Sequence, residues 1–207
     1  MLDADFFRRW LTAAAAAVDR EAERLTALDS PIGDADHGSN LQRGFAAVVA
    51  ALEKEEPPTP GAVLTLAGRQ LISTVGGASG PLYGTLLRRT GKALGNDAAE
   101  VTGEQLRDAL RTGVEAVRTL GGAAPGDKTM VDALVPAVDA LGESFAAAAA
   151  AAERGAEETT GLQARKGRAS YLGERSIGHR DPGATSAALL VAALAEAAGA
   201  RAEAADV

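Results

Sequence analysis

Cysteine is absent from the sequence, and histidine occurs only twice in 207 residues. The absence of cysteine excludes disulfide bonds and thiolate chemistry, and it is typical of cytoplasmic proteins, so we expect a cytoplasmic location. There is no run of about 18 apolar residues, and no basic N-terminal region precedes an apolar stretch. We therefore expect neither a membrane span nor a signal peptide.

Positive charge is also scarce. The 21 lysines and arginines are outnumbered by 28 aspartates and glutamates, which gives a formal net charge of −7. Proteins that bind nucleic acid usually carry a positive face, so this balance argues against a nucleic-acid partner. Segments in which apolar and polar residues alternate are missing as well, and no β-strand is predicted.

Apolar residues instead recur three and four positions apart, as on one face of an amphipathic helix, in eight segments. The segments cover about residues 4–28, 41–55, 60–74, 82–94, 102–120, 130–143, 144–164 and 182–200. A chain of this length is most simply one domain, here residues 1–207, that can bury a good core. The sequence predicts an all-α fold, an antiparallel barrel or bundle of eight helices joined by short loops.

Successive antiparallel helices change direction, so every second loop lies at the same end of the bundle. The loops after the first, third, fifth and seventh helices cover residues 29–40, 76–81, 121–129 and 165–181. These four loops have the unusual chemistry of the sequence: clustered carboxylates, glycines and cations. We therefore predict that the functional site lies at this end.

The first of these loops holds Asp29, Asp34, Asp36 and His37 within a short stretch. Carboxylates crowded in this way repel one another unless a cation lies between them, and hard oxygen ligands favour Mg²⁺ or Ca²⁺ over Zn²⁺. The loop does not fit an EF-hand, because counting from Asp29 puts Pro31 at the third loop position. We predict Mg²⁺ held jointly with a phosphate; the alternative is that one of these aspartates merely caps a helix.

The two glycine-rich loops favour contact with a phosphate through backbone N–H groups. Gly76–Pro81 leads into a helix, whose N-terminal N–H groups can bind phosphate, although such a loop is also typical of a tight turn. Gly121–Thr129 resembles a P-loop with one residue inserted, but a helical pattern rather than a strand precedes it. We therefore reject the P-loop and predict that this loop contacts a ligand through its backbone and Met130.

The fourth loop gathers five cationic residues and His179 in an otherwise acidic protein. Arginine is favoured for two-pronged contacts with phosphate, so this segment is either a phosphate clamp or a solvated charged loop. Three aspartates with a metal ion, backbone donors and arginines together suit the phosphates of a nucleotide. Catalysis of phosphoryl transfer depends mostly on positioning and charge neutralisation, so no single catalytic side chain is assigned.

Four long motifs in a fixed order give the sequence a family resemblance that covers nearly the whole chain. The motifs are IGDADHG (Ile32–Gly38), VGGASGPLYGT (Val75–Thr85), PGDKTMVD (Pro125–Asp132) and ARKGRASYLGERSIGHRDPGATS (Ala164–Ser186). The sequence resembles the nucleotide-binding subunits of bacterial dihydroxyacetone kinases that are driven by the phosphoenolpyruvate phosphotransferase system.

The resemblance implies an eight-helix barrel that holds ADP or ATP at one end, with the phosphates bound through two Mg²⁺ ions. Carried over by the matching motifs, the metal ligands would be Asp29, Asp34 and Asp36. The residues that would contact the nucleotide are His37, Gly38, Ser39, Asn40, Ala78, Ser79, Gly121, Met130, Arg168, Asp181, Pro182 and Gly183.

The resemblance further implies two protein partners and no membrane or nucleic acid. In this family the nucleotide is a tightly held cofactor, which accepts a phosphoryl group from a phosphohistidine carrier subunit. It passes that group to dihydroxyacetone held on a ketone-binding kinase subunit, giving dihydroxyacetone phosphate. His37 is not assigned as the phosphohistidine, because the resemblance places that residue on the carrier. A homodimer is left open.

Two other functions stay open at the level of the sequence. The same fold forms the ATP-binding half of single-chain kinases, so the protein could instead be an ATP-dependent kinase subunit for dihydroxyacetone or a related ketose or tetrose. The third alternative is a non-catalytic module that senses nucleotide or Mg²⁺ and regulates a partner. The short chain, which lacks the other half of a single-chain kinase, favours the separate subunit.

Overall fold

Eight α-helices make up most of residues 1–205, which the computed structural model describes, and they confirm the all-α prediction. The predicted domain runs to Val207, and its last two residues lie outside the described residues. The helices are α1 (Ala4–Asp29), α2 (His37–Glu55), α3 (Pro60–Thr74), α4 (Ser79–Leu94), α5 (Gly103–Gly121), α6 (Met130–Ala140), α7 (Phe145–Glu158) and α8 (Pro182–Ala205).

The helices form a closed ring, as the predicted barrel requires. Each helix packs against the next along the chain, and α8 packs against α1 to close the barrel. At this closing contact the indole Nε1 of Trp10 donates a hydrogen bond of 2.8 Å to the carbonyl of Leu190. The large side chains of Phe6, Phe7 and Phe45 are buried in the same core. The apolar stripes that predicted the helices are therefore the faces that line the interior of the barrel.

Local sequence signals determine most helix ends. The capping box predicted at the start of α5 is present, because the Thr102 hydroxyl accepts from the N–H of Gln105 at 3.1 Å and the Gln105 side chain accepts in return. The seventh helix was predicted too long, over residues 144–164. It ends at Glu158, where the chain tightens into a 3₁₀ turn, Thr159–Gly161, and then enters the loop before α8.

The structure contains one short sheet that the sequence pattern does not predict. Strand β1 (Leu2–Asp3) pairs antiparallel with β2 (Glu100–Val101). The expectation of no strand was wrong here, because two residues are too few to produce an alternating pattern. The pair ties the start of α1 to the segment between α4 and α5.

One helix of the described chain, residues Pro182–Arg201 of α8, is long and apolar enough to cross a membrane, with a mean hydropathy of 1.4. Thr185, Ser186 and Glu196 interrupt its apolar residues, so the segment contains no continuous apolar run of about 18 residues, and the absence of a membrane span stays a prediction. Within the barrel, 56% of this window is buried, and the helix packs against α1, α6 and α7.

Candidate functional site

The four loops that the sequence places at one end of the barrel line a single cavity of about 390 Å³. The convergence that was predicted from alternating helix directions is therefore observed. The predicted site residues that line this cavity are Asp29, Asp34, Asp36, His37, Ala78, Ser79, Gly121, Met130, Arg168, Asp181, Pro182 and Gly183.

Three carboxylates converge on one wall of the cavity. Asp29, Asp34 and Asp36 each offer an oxygen that lies within 4.8 Å of the other two. Ala35 adopts a left-handed backbone conformation, with φ of 59°, which is uncommon for a residue other than glycine and is a form of strain often found at functional sites. A set of three hard oxygen donors fits Mg²⁺, which usually takes a few carboxylates together with phosphate oxygens.

Asp29 organises the loop as well as contributing an oxygen. It is buried at the end of α1, and its Oδ2 accepts backbone N–H bonds from Asp36 at 3.0 Å and from His37 at 3.3 Å. A Cβ atom on Gly33 would lie 1.9 Å from Asp29 Oδ1, so only glycine allows this approach. Asp36 makes no side-chain capping bond to α2, so the capping alternative for that carboxylate is not observed.

The cationic loop contributes fewer residues to the cavity than its composition indicates. Arg168 lines the cavity and its Nη2 lies 2.8 Å from Asp34 Oδ2, while Lys166 also lines the cavity, close to Gly122 of the third loop. Arg180 is turned outward, where it pairs with Glu153 at 2.9 Å. The phosphate clamp that this loop could provide is therefore reduced to Arg168 and Lys166.

Lys128 confirms that the third loop is not a P-loop. The helix α5 rather than a strand precedes the loop. The Lys128 residue is 1% exposed, and its Nζ donates to the carbonyls of Thr159 at 2.7 Å, Leu162 at 3.1 Å and His179. Burial lowers the pKa of the Lys128 amine. This ammonium holds the loop before α8 in place, and it is not free to reach a phosphate.

Gly38, Ser39 and Asn40 do not line the cavity, although the family resemblance makes them nucleotide contacts. A Cβ on Gly38 would lie 1.9 Å from the carbonyl oxygen of Ala22, so this glycine sits where α2 crosses α1 closely. Ser39 is exposed and its hydroxyl donates to the Asp36 carbonyl at 3.0 Å. Asn40 is buried, with its Oδ1 accepting from Arg43 at 2.6 Å. Their contact with a nucleotide stays a prediction.

His37 lies at the start of α2 and is buried against α4 and α8. Its Nε2 is 2.8 Å from the Ser186 hydroxyl, and its Nδ1 is 3.2 Å from the Ser79 hydroxyl. Burial lowers the pKa of the His37 imidazole, an effect that the neighbouring carboxylates Asp29 and Asp36 oppose. Sequence reasoning did not identify Ser186 as a partner of His37, because a serine in the first turns of an alanine-rich helix carries no signal of its own.

Asp181 is a buried carboxyl at the start of α8. Its Oδ2 accepts the N–H of Ala184 at 2.7 Å, which is the geometry of a helix N-cap, and its own N–H donates to the Thr159 hydroxyl at 3.0 Å. Burial raises the pKa of Asp181 to about 7, although the Ala184 bond and the Lys128 charge act in the opposite direction. The side chain can therefore gain or lose a proton near neutral pH.

This shift predicts a pH-dependent stability that an Asp181→Asn variant should lack. Between pH 3.8 and about 7 the folded state holds a proton that the unfolded state has lost, so the contribution is largest at low pH and disappears as the pH rises through 7. We expect the free energy of unfolding of wild type, relative to the variant, to fall between pH 5 and pH 8. Asn can still accept the Ala184 N–H, so the cap is retained.

The measurement is urea denaturation at both pH values without nucleotide. Asp97→Asn, which changes an exposed aspartate in the loop after α4, is the matched control and should follow the wild-type profile. If the free energy of unfolding changed with pH equally in wild type and in Asp181→Asn, the raised pKa of Asp181 would be contradicted.

The sequence of this chain is similar to those of several known proteins. Residues 31–196 match the DAK2 domain. The ADP-binding subunit DhaL of the PEP-dependent dihydroxyacetone kinase of Escherichia coli K12 is 47% identical over 199 residues, which cover 91% of this chain and 94% of that protein. A DhaL subunit of Listeria innocua is 42% identical and covers 93% and 96%. The L-erythrulose 1-kinase of Mycolicibacterium smegmatis is 41% identical, but 86% of this chain covers only 33% of it.

A solved structure gives a similar result. The dihydroxyacetone kinase of C. freundii, crystallised in complex with AMP-PNP and Mg²⁺, superposes with a TM-score of 0.74 at 30% identity. The superposition covers 91% of this chain and 33% of the kinase chain, so this protein spans about a third of that enzyme.

Proposed function

Because this chain belongs to the DAK2 domain family, we propose that it is the ADP-binding subunit of a phosphoenolpyruvate-dependent dihydroxyacetone kinase. The observation that carries the proposal is the convergence of three carboxylates within 4.8 Å on the wall of a cavity at one end of the barrel. The chain spans 94% of the E. coli subunit and about a third of the L-erythrulose 1-kinase and of the C. freundii dihydroxyacetone kinase.

Each wall of the cavity has a separate role in this proposal. Asp29, Asp34 and Asp36 would hold two Mg²⁺ ions, which supply neutralisation of the phosphate oxygens when bound. Beside His37, the N-terminal N–H groups of α4 can donate to phosphate. Arg168 adds a positive charge at the rim. Apolar residues that suit the base of the nucleotide form the remaining wall: Leu82, Val117, Leu120 and Met130.

In this role the nucleotide is a resident cofactor rather than a substrate that leaves after each reaction. The bound ADP would receive a phosphoryl group from a phosphohistidine carrier subunit, and the resulting ATP would deliver it to dihydroxyacetone on a ketone-binding subunit. Both partners must reach the mouth of the cavity, where the exposed loop between α7 and α8 lies. We place the assembly in the cytoplasm; formation of a homodimer stays a prediction.

A second function is favoured by one specific observation. The L-erythrulose 1-kinase and the D-erythrulose kinase of Mycolicibacterium smegmatis are 41% and 38% identical to this chain. An ATP-dependent kinase for a ketotetrose, assembled with a separate ketone-binding chain, would use the same cavity. It differs in that ADP must leave and ATP must enter in every catalytic cycle.

Exchange of ADP during turnover distinguishes the two functions. The protein is loaded with labelled ADP, mixed with a ketone-binding subunit and a phosphoenolpyruvate-driven phosphocarrier, and chased with unlabelled nucleotide. We expect the label to remain bound over many rounds of dihydroxyacetone phosphorylation. Loss of label once per turnover would contradict the cofactor role and favour the ATP-dependent kinase.

Arg168→Ala should accelerate that exchange. The side chain is 69% exposed, so we take the lower end of the range for a hydrogen bond to a charged group, about 1.5 kcal/mol, which corresponds to about tenfold faster release. Arg175→Ala, an exposed arginine of the same loop that does not line the cavity, is the control and should release ADP at the wild-type rate. Equal release rates for the two variants would show that Arg168 does not help to hold ADP.

A further inference from the structure

A chain of hydrogen-bonded side chains runs from the core of the barrel to the cavity. The Tyr83 hydroxyl lies 2.6 Å from the Ser186 hydroxyl, and that hydroxyl lies 2.8 Å from Nε2 of His37. On the other side of the imidazole, Nδ1 lies 3.2 Å from the hydroxyl of Ser79, which lines the cavity. The chain links α4, α8 and α2, and the proposed metal and nucleotide contacts do not account for Tyr83 or Ser186.

Tyr83 determines the direction of the first bond. The residue is 1% exposed, and its ring is held edge-on against Phe45 at a centroid distance of 6.5 Å. Burial raises the pKa of the Tyr83 phenol, so it keeps its proton and must donate it. Ser186 Oγ at 2.6 Å is a closer acceptor than the Gly183 carbonyl at 3.3 Å. Tyr83 therefore donates to Ser186.

The remaining bonds follow in order. Having accepted from Tyr83, the Ser186 hydroxyl can donate to His37 Nε2 at 2.8 Å or to the Gly183 carbonyl at 3.1 Å, and the imidazole is the closer acceptor. The His37 proton then lies on Nδ1 and is donated to the Ser79 oxygen at 3.2 Å. With its oxygen occupied in this way, Ser79 can direct its own proton into the cavity.

We propose that Tyr83 and Ser186 are positioning residues, which hold His37 in the Nδ1–H tautomer so that Ser79 presents its hydroxyl proton to a phosphate of the bound nucleotide. The tautomer assignment stands independently of the proposed function, whereas the consequence for the nucleotide rests on it. The arrangement also occupies both ring nitrogens of His37 with protein hydroxyls.

Nitrogen NMR of the full-length protein tests the tautomer. The chain has only two histidines, so ¹⁵N-histidine labelling gives two imidazoles, and His179→Asn identifies the other one. We expect His37 to be protonated on Nδ1 in wild type. In Tyr83→Phe the Ser186 oxygen is free to accept from Nε2–H, so the proton should move toward Nε2. Wild-type His37 protonated on Nε2, or an unchanged spectrum in Tyr83→Phe, would overturn the proposal.

The matched control is the other tyrosine of the chain. Tyr171 is 89% exposed, and Tyr171→Phe removes the same hydroxyl at the surface without reaching the network. Its His37 resonances should match those of wild type. Since this measurement needs no nucleotide, a protein that failed to bind ADP would disprove the proposed function and still report the tautomer.

The release rate of ADP tests the link to the site. Loss of one hydrogen bond in the chain should speed release from the Mg²⁺- and ADP-loaded protein by about two- to tenfold in Tyr83→Phe and in Ser186→Ala. Ser186→Thr keeps a hydroxyl and should restore the slow rate, which a general packing defect would not allow. Release of ADP at the wild-type rate in Tyr83→Phe would overturn the role of these hydrogen-bonded side chains in holding nucleotide.

Discussion

Chelation with EDTA is expected to release the nucleotide and to lower the melting temperature of the loaded protein. A ligand present at about 100 times its dissociation constant adds roughly 2.7 kcal/mol to the free energy of unfolding. For a chain of this size each kcal/mol corresponds to about 2–4 °C, so the melting temperature should fall by about 5–10 °C. The three carboxylates at the cavity wall would also lose the cation that offsets their repulsion.

Asp34→Asn should reproduce most of this effect without a chelator. Asp34 is the most suitable of the three, because Asp29 also holds the loop through the N–H groups of Asp36 and His37. The variant should melt at the same temperature with and without EDTA, as measured by calorimetry in the presence of Mg²⁺ and ADP. Asp97→Asn removes an exposed charge elsewhere and should keep the full response to EDTA. A wild-type melting curve that EDTA leaves unchanged would mean that these aspartates hold no metal.

Gly38→Ala is expected to destabilise the fold by about 1–3 kcal/mol, the usual cost of forcing an extra methyl group into a packed contact. The new Cβ would lie 1.9 Å from the Ala22 carbonyl oxygen, so α2 must move away from α1. That movement would carry His37 and the adjoining aspartate loop with it. The free energy of unfolding is measured with urea on nucleotide-free protein, so that a change in binding does not contribute.

This prediction separates packing from ligand contact. Gly103→Ala is the control, because a Cβ there meets no heavy atom within 4 Å, and its stability should stay at or above that of wild type. If Gly38 served only to contact nucleotide, Gly38→Ala would unfold like wild type in the absence of ADP. Its nucleotide affinity alone would fall.

The features that the sequence predicted well are those that depend on local periodicity. The stripe of Phe6, Phe7 and Trp10 repeats with the helical period and is buried. The meeting of four distant loops at one end was also predictable, because it follows from the number of helices and their antiparallel arrangement alone. Clustering of the three aspartates was predictable because they occur within a few residues of one another in a single loop.

The features that the sequence did not predict depend on contacts between distant residues. His37 and Ser186 are 149 positions apart, and neither residue shows by its neighbours that the two will meet. Lys128 was placed in a loop by its glycines, but its burial against the carbonyls before α8 depends on the path of another loop. The close crossing of α1 and α2 at Gly38 was not predicted either, because it depends on the Ala22 carbonyl of another helix.

The pairing of α1 with α8 bears on the stage of folding at which the proposed nucleotide site would be complete. The Trp10–Leu190 bond joins positions that are 180 residues apart, and contacts of such separation form late because a long chain must first be brought together. Asp181 immediately before α8 and Pro182 and Gly183 at its start line the cavity, and Ser186 of α8 contacts His37. During synthesis the chain would have its aspartate loop long before α8 contributes its residues to the cavity. We therefore expect nucleotide to bind only after α8 has packed against α1 and the barrel has closed.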